Sequence, residues 1–425
     1  MKKILMIVAV MVCVWVHCGA QELKEMTMRG DVKTVELYKE GNEMAAPVLV
    51  LGEGAGLVLE FDVLGAEAEE LRWRIRHCDR WWRADKMEEQ EVVRGFGEGV
   101  VEEYDFSFTT LRDYVHYRTR VPGKYDELTF SGNYVVEVTD GDGALLLRRR
   151  FWVSEEGVKI GCDVGRAYDG VAVDRRQEVD VTLSSKRGDL QLQEEWMDVM
   201  VRQNGRWDNG RWLEMSGYEG DGLAYRYRQC NVFYGGNRFR WFDCSNLRTA
   251  MYNVARIEEY GGEVFAILRP EEDRSKKHYL SEKSLNGGMK VNVWDRNNPR
   301  LEADYVWVNF NLPMAQPLLE GGVYIVGALT EWRMDSTSRM EYNPQYRAYT
   351  KRLLLKQGYY SYQLLVRSGE PEAGSRELRS ATAALEGDHR ETQNGYAVYC
   401  YYRSPADRGD RLLGVVNWEP GAGRL

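Results

Sequence analysis

The chain has 425 residues, 44% of them hydrophobic, 29% charged and only ten of them proline, which excludes collagen-like, low-complexity and wholly disordered proteins because there is enough apolar surface to build cores. At roughly 150 residues per domain this length predicts about three domains. The formal charge of −9 disfavours nucleic acid or anionic lipid as the main partner and points to a protein or a neutral ligand.

Residues 1–20 place Lys2 and Lys3 ahead of an unbroken apolar run at 4–16 and end on Cys18-Gly19-Ala20. This reads as a secretory signal peptide cleaved after Ala20. A lipoprotein would carry its modified cysteine at Cys18, but His17 is a poor match to the small residue needed there. Losing Lys2 and Lys3 takes the charge from −9 to −11. No later stretch approaches the ~18 apolar residues that cross a bilayer, so an exported, soluble chain without direct membrane insertion is expected.

From there the pattern is one of strands. Leu57, Leu59, Phe61 and Val63, then Leu71, Trp73 and Ile75, then Val179, Val181 and Leu183 alternate with polar neighbours, the period of a half-buried strand. The few helices expected are short, such as those at 66–70 and 86–91, and cap sheets rather than form a domain. Thr139-Asp140-Gly141-Asp142-Gly143 separates strands at 134–138 and 145–153, and Asp221-Gly222 precedes another at 223–227; such dipeptides suit tight hairpins. Asp140-x-Asp142-Gly143 has the start of a calcium loop, but Phe151 occupies the position of its final glutamate, so a hairpin turn is the reading. With 26 Tyr, 13 Trp and 42 Gly, an all-β chain is expected.

Gly132-Asn133-Tyr134 and Gly358-Tyr359-Tyr360 each set a Tyr two residues after a Gly at the start of a strand. That is the arrangement of the tyrosine corner of Greek-key sandwiches, in which the hydroxyl bonds back to the backbone. Tandem immunoglobulin-like β-sandwiches follow, with boundaries near 155–157 and 299–303. The expected division is an N-terminal sandwich at 21–155, a middle β domain at 156–300 and a C-terminal sandwich at 301–425. Charge runs such as Arg148-Arg149-Arg150 and Glu271-Glu272-Asp273-Arg274 are expected to be solvated turns or strand faces.

Catalytic signatures are absent. After residue 20 the histidines are His77, His116, His278 and His389, with no H-E-x-x-H, G-x-S-x-G or G-x-x-x-x-G-K-[ST] motif. A glycosidase carboxylate pair would come from distant strands, which spacing does not reveal. His77-Cys78-Asp79 joins three metal-binding residue types, but strand neighbours point to opposite faces, so structural hydrogen bonds at a strand end are expected. No cofactor or metal is called for. Cys78, Cys162, Cys230, Cys244 and Cys400 are an odd set at wide spacing; Cys230 and Cys244 could pair across a hairpin, and buried free thiols are the expected state. Trp81-Trp82-Arg83 is the candidate partner-binding segment: either one tryptophan is exposed as a contact residue, or both are buried on opposite sides by a sandwich and its flanking loop.

The segment 322–332, ending in Thr330-Glu331-Trp332, with the strands that follow it, resembles the sandwich of family 48 carbohydrate-binding modules, and Trp332 matches their sugar-stacking tryptophan. Gln363 stands where those modules usually carry lysine, and 367–375 holds no second tryptophan. A shared fold without carbohydrate binding is the expectation, and a cell-envelope carbohydrate-binding protein is the alternative.

A second resemblance spans nearly the whole chain after residue 20. Its segments are His77-Cys78-Asp79 with Trp82; Tyr104-Asp105-Phe106-Ser107-Phe108 leading to Tyr114-x-His116-Tyr117; Ser131-Gly132-Asn133-Tyr134; and Gly236-Asn237-x-Phe239-Arg240-x-Phe242-Asp243. They continue through Glu302-Ala303-Asp304-Tyr305-Val306, Lys356-Gln357-Gly358-Tyr359-Tyr360, Glu386-Gly387-Asp388-His389-x-Glu391-Thr392 and Tyr401-Tyr402-Arg403. In order they resemble the plug proteins of the type IX secretion system. The resemblance implies a non-catalytic periplasmic protein at the inner face of the outer membrane. Such a protein binds the periplasmic mouth of the translocon barrel and closes it when no substrate is in transit.

Overall fold

The computed structural model describes residues 21–185, 190–282, 284–367 and 381–420. The expected signal peptide at 1–20 lies outside the described residues, as do 368–375 of the stretch compared with carbohydrate-binding modules. The chain is all-β, built from mainly antiparallel sheets that pack in pairs as tandem β-sandwiches, with parallel pairing only of Val48–Val50 with Leu145–Ser154 and of Glu263–Leu268 with Tyr305–Pro313 among the described residues.

In the first sandwich, strands Val32–Lys39, Leu57–Leu64, Tyr114–Val121 and Glu103–Phe106 form one sheet. The facing sheet runs Met26–Thr27, Leu145–Ser154, Gly132–Thr139, Arg72–Cys78 and Glu98–Val100. The alternating apolar residues do what their period dictates: Leu57, Leu59, Phe61 and Val63 of one sheet bury against Trp73, Ile75, Val136, Val138 and Phe151 of the other. Each such side chain contributes about 1.5–3 kcal/mol on burial.

Two sheets also make the second sandwich. One holds Lys159–Arg166, Arg176–Ser184, Gly222–Tyr225 and Gly217–Glu219, with Val232–Tyr234 beside Arg176–Ser184. The other runs Arg211–Leu213, Met197–Gln203, Tyr396–Tyr402 and Arg411–Trp418, so the last two strands of the chain return to a core begun two hundred residues earlier. Between these halves lies a third sandwich. One of its sheets holds Arg240–Asp243, Gly358–Arg367 and Met289–Val291, with Gly322–Val326 also on Gly358–Arg367. Its other sheet runs Val254–Tyr260, Glu263–Leu268, Tyr305–Pro313, Ala348–Lys356 and Glu341–Asn343.

The pairing departs from the expected boundary at 300/301. Phe242, Val254 and Leu268 share one core with Val306, Tyr362 and Leu364, whereas Val398, Cys400 and Leu413 complete the core of Val179, Val199 and Leu223. A C-terminal sandwich over 301–425 is therefore replaced by an inserted one. Long-range ladder partners decide which sheet a strand joins, and the crossing segments are too short to shift the local composition. The expected helix at 66–70 does not form; residues 65–67 bend and 68–70 are irregular. At 86–91 one helical turn forms over Glu89–Val92, closed by Glu91 accepting from the Glu88 N–H at 2.9 Å. A second single turn, Pro299–Glu302, went unread.

Both tyrosine corners form. Tyr134 donates its hydroxyl to the Phe130 carbonyl at 2.7 Å and Tyr360 to that of Lys356 at 2.5 Å, four residues upstream in each case. The 139–143 segment is the expected turn: Asp140 Oδ1 accepts from the Asp142 and Ala144 amides at 3.1 and 2.8 Å. Cys230 and Cys244 sit in different sandwiches, and all five described cysteines are free thiols. Burial pushes Cys78, Cys162, Cys244 and Cys400 up to about 12, so they stay protonated and unreactive near neutral pH.

Candidate partner-binding surface

The strand Arg72–Cys78 ends in a closed turn. Asp79 Oδ1 accepts from the Trp81 and Arg83 amides at 2.9 and 2.8 Å, and Trp82 adopts a left-handed φ of 63°. That turn sends the two adjacent indoles in opposite directions. Trp81 is 48% exposed, with the guanidinium carbons of Arg80 and Arg83 at 5.3 and 5.6 Å from its ring and Trp212 tilted against it. Arg83 is exposed as well.

Trp82 is 4% exposed. It meets Trp152 and Trp207 edge-on, with Arg150 at 4.5 Å from its centroid. Trp152 stacks on Trp207 and on Tyr399, and Arg202 lies 3.5 Å from the Trp207 centroid. These residues cluster with Val135, Tyr401 and Leu412 as an apolar contact between the first and second sandwiches. Of the three candidate residues, Trp81 and Arg83 thus share a solvent-facing surface, and Trp82 forms part of the joint behind it.

Behind that surface His77 bonds Asp85 through Nδ1 and the Ser131 carbonyl through Nε2. Gly132 admits the ring, because a Cβ there would come within 2.4 Å of His77 Nε2 and 2.8 Å of the Asp410 carbonyl. Arg80 is buried, pairing with Asp410 at 2.6 Å and with Asp198. Asn133 accepts from the Tyr401 hydroxyl at 2.8 Å. Each of these contacts except the histidine's ties the first sandwich to the second.

A second joint links the first and third sandwiches. Asp62 accepts from His116 Nδ1 at 2.7 Å, Lys356 Nζ at 2.6 Å and the Tyr305 hydroxyl at 2.6 Å. Glu60 pairs with Arg118 at 2.9 Å and Arg300 at 3.1 Å. Burial works to raise the Asp62 carboxyl, but the Lys356 ammonium and His116 outweigh it and hold it below the usual carboxylate range. Glu36 lacks such a partner: burial, then Glu60, Glu43 and Asp62, push it up to about 7.

The third joint lies where the chain leaves and re-enters the second sandwich. Gly236 donates to Asp388 at 3.1 Å and accepts from the His389 amide at 2.8 Å, while Asn237 donates to the Glu386 carbonyl at 2.7 Å. The buried Glu386 carboxylate takes Arg240 and Arg274, each through Nε at 2.9 Å.

These joints overturn the expectation for the charge runs. Arg149 and Arg150 are buried, one reaching Glu331 of the third sandwich at 2.6 Å and the other lying between Trp82 and Trp207. Arg274 is held by Glu386. They also explain Trp332, which packs edge-on to Phe239 and so close to Gly287 that a Cβ there would come within 2.2 Å of its ring. That edge of the indole is occupied by protein. Gln363 is buried and donates to the Asn237 carbonyl at 2.8 Å. Among the described residues no group of three or more His, Cys, Asp or Glu is arranged to hold a metal ion, and no helix is long and apolar enough to cross a membrane.

The described chain is thus three β-sandwiches, each bonded to both others, with Trp81 half-exposed on the surface of the first. Residues 32–155, the first sandwich, match the family model described as the first domain of the type 9 secretion system plug protein. This match associates the chain with type IX secretion. A crystal structure of a hypothetical protein from Parabacteroides merdae aligns at 27% identity with a TM-score of 0.88, covering 94% of this chain and 100% of that one. The BSP domain of a biofilm-associated protein aligns at 8% identity over 92% of this chain and 67% of that one, with a TM-score of 0.15, the level of unrelated chains. No curated protein matches.

Proposed function

We propose that this protein is a non-catalytic plug of the type IX secretion system: in the periplasm it binds the periplasmic mouth of the outer-membrane translocon barrel and seals the pore while no substrate is in transit. The observation that carries this reading is the match of the first sandwich to the plug family's first domain. The three mutually bonded sandwiches support it, because a stopper must hold its shape against a wide opening and packed cores resist deformation. Trp81 and Arg83 are the proposed contacts, an aromatic and an arginine being the residue types that anchor protein interfaces.

The test uses the tagged full chain, recovered from detergent-solubilised outer membranes after crosslinking and analysed by mass spectrometry. The translocon barrel should accompany it, crosslinked at the barrel's periplasmic rim. A protein recovered free of the barrel would overturn the reading.

A further inference from the structure

At one tip of the first sandwich a two-stranded ladder pairs Val93–Arg94 with Glu127–Leu128, with Arg94 opposite Glu127. Beyond the ladder Gly95 and Phe96 lie against Asp126, so Phe96 and Tyr125 stand at the same tip. These side chains are 82% and 89% exposed. Their backbone is nevertheless built: Asp126 Oδ1 accepts from the Phe96 amide at 2.9 Å. Gly95 has φ +131° and leaves room for that carboxylate, since a Cβ would lie 2.1 Å from it; Gly97 follows with φ +63°. Two aromatic rings are therefore held outward on a backbone that needs its glycines and its aspartate to keep this shape. Exposed aromatics on a fixed backbone lose little freedom when they enter a pocket.

Within seven residues of either ring along the chain, seven acidic residues stand against four basic ones, and one of the four, Arg94, is paired with Glu127. That balance repels an anionic lipid surface and favours a protein pocket with a basic rim. We propose that the Phe96–Tyr125 tip is a docking wedge that enters an apolar, basic-rimmed pocket on the protein partner. This rests on the plug reading, in which that partner is the translocon barrel, and adds a contact separate from Trp81.

The test places the photo-crosslinking residue p-benzoylphenylalanine at 96, 125 or 81 of the full chain and irradiates intact cells. Positions 96 and 125 should crosslink to the barrel. The double variant F96A/Y125A should lower barrel recovery about tenfold, the loss typical of removing interface anchors, with its melting temperature and elution volume unchanged. Crosslinking to the barrel from 81 alone, with F96A/Y125A recovering it undiminished, would overturn the wedge and leave the plug reading standing. No barrel from any position would overturn the plug reading itself. Flotation on phosphatidylethanolamine vesicles that is lost in F96A/Y125A, or a crosslinked pair of chains, would assign the tip to a membrane or to a second copy and overturn the wedge.

Discussion

Lys356 of the third sandwich donates to Asp62 of the first at 2.6 Å, and the two residues are 2% and 1% exposed. Asp62 occupies the polar face of a strand whose other face is core, so in a lone sandwich it would meet water. Here a second sandwich covers it, and the charge is met by an ammonium, an imidazole and a phenol. The same holds for most segments that carry the whole-chain resemblance: 104–117 meets 302–305 and 356–360, 131–134 meets 401, and 236–240 meets 386–392. What those segments encode is the mutual placement of three sandwiches.

Removing one partner of a buried ion pair leaves the other unpaired in a dry setting. Lys356→Met should therefore destabilise the protein by about 3–5 kcal/mol, read as a lower urea midpoint. The double variant D62L/K356M should recover much of that loss, because neither charge then remains to be solvated.

Glu36 sets a pH dependence. Its carboxyl rises from an ordinary 4.5 to about 7 on folding, by burial and by Glu60, Glu43 and Asp62. Between those values the folded state binds the proton that the unfolded state releases, so this group's contribution to stability falls as pH rises from about 4.5 to about 7. Glu36→Gln should melt with the parent at pH 4.5 and above it at pH 8. Equal melting temperatures at pH 8 would show that Glu36 ionises without cost.

The core faces were legible because period two is a local property, and Leu57, Leu59, Phe61 and Val63 obey it. Tyr134 and Tyr360 were legible for the same reason, each corner being made within five residues. The opposite faces were not. Glu60, Asp62, Arg149 and Arg150 look like solvated polar positions until a partner distant in the chain covers them, Arg300, Lys356, Glu331 and Trp207 respectively. The return of Tyr396–Tyr402 and Arg411–Trp418 to the second sandwich was hidden likewise, since an inserted domain leaves no trace in local pattern. In the Trp81-Trp82 pair, alternation announced that the indoles diverge; the left-handed turn at Trp82 decided which went inward.

The tyrosine corners should each be worth a single hydrogen bond to a backbone carbonyl. Tyr134→Phe and Tyr360→Phe keep ring packing and lose only the hydroxyl, so each should cost about 1–2 kcal/mol with the fold retained by circular dichroism. Being in separate sandwiches, the two losses should add in the double variant.

Trp81 and Trp82 are adjacent in sequence, and their alanine variants should fail in different assays. Trp82 fills the contact between the first two sandwiches against Trp152, Trp207 and Arg150, so Trp82→Ala should cost about 3–5 kcal/mol and free the first sandwich for earlier proteolysis. Trp81 stands half in solvent between two guanidinium groups, so Trp81→Ala should melt within about 0.5 kcal/mol of the parent and instead reduce recovery of the partner. Measuring melting temperature and barrel recovery on both variants separates the roles. Loss of recovery in Trp81→Ala at unchanged stability would mark a contact residue, whereas full recovery would confine the function of this turn to joining the sandwiches.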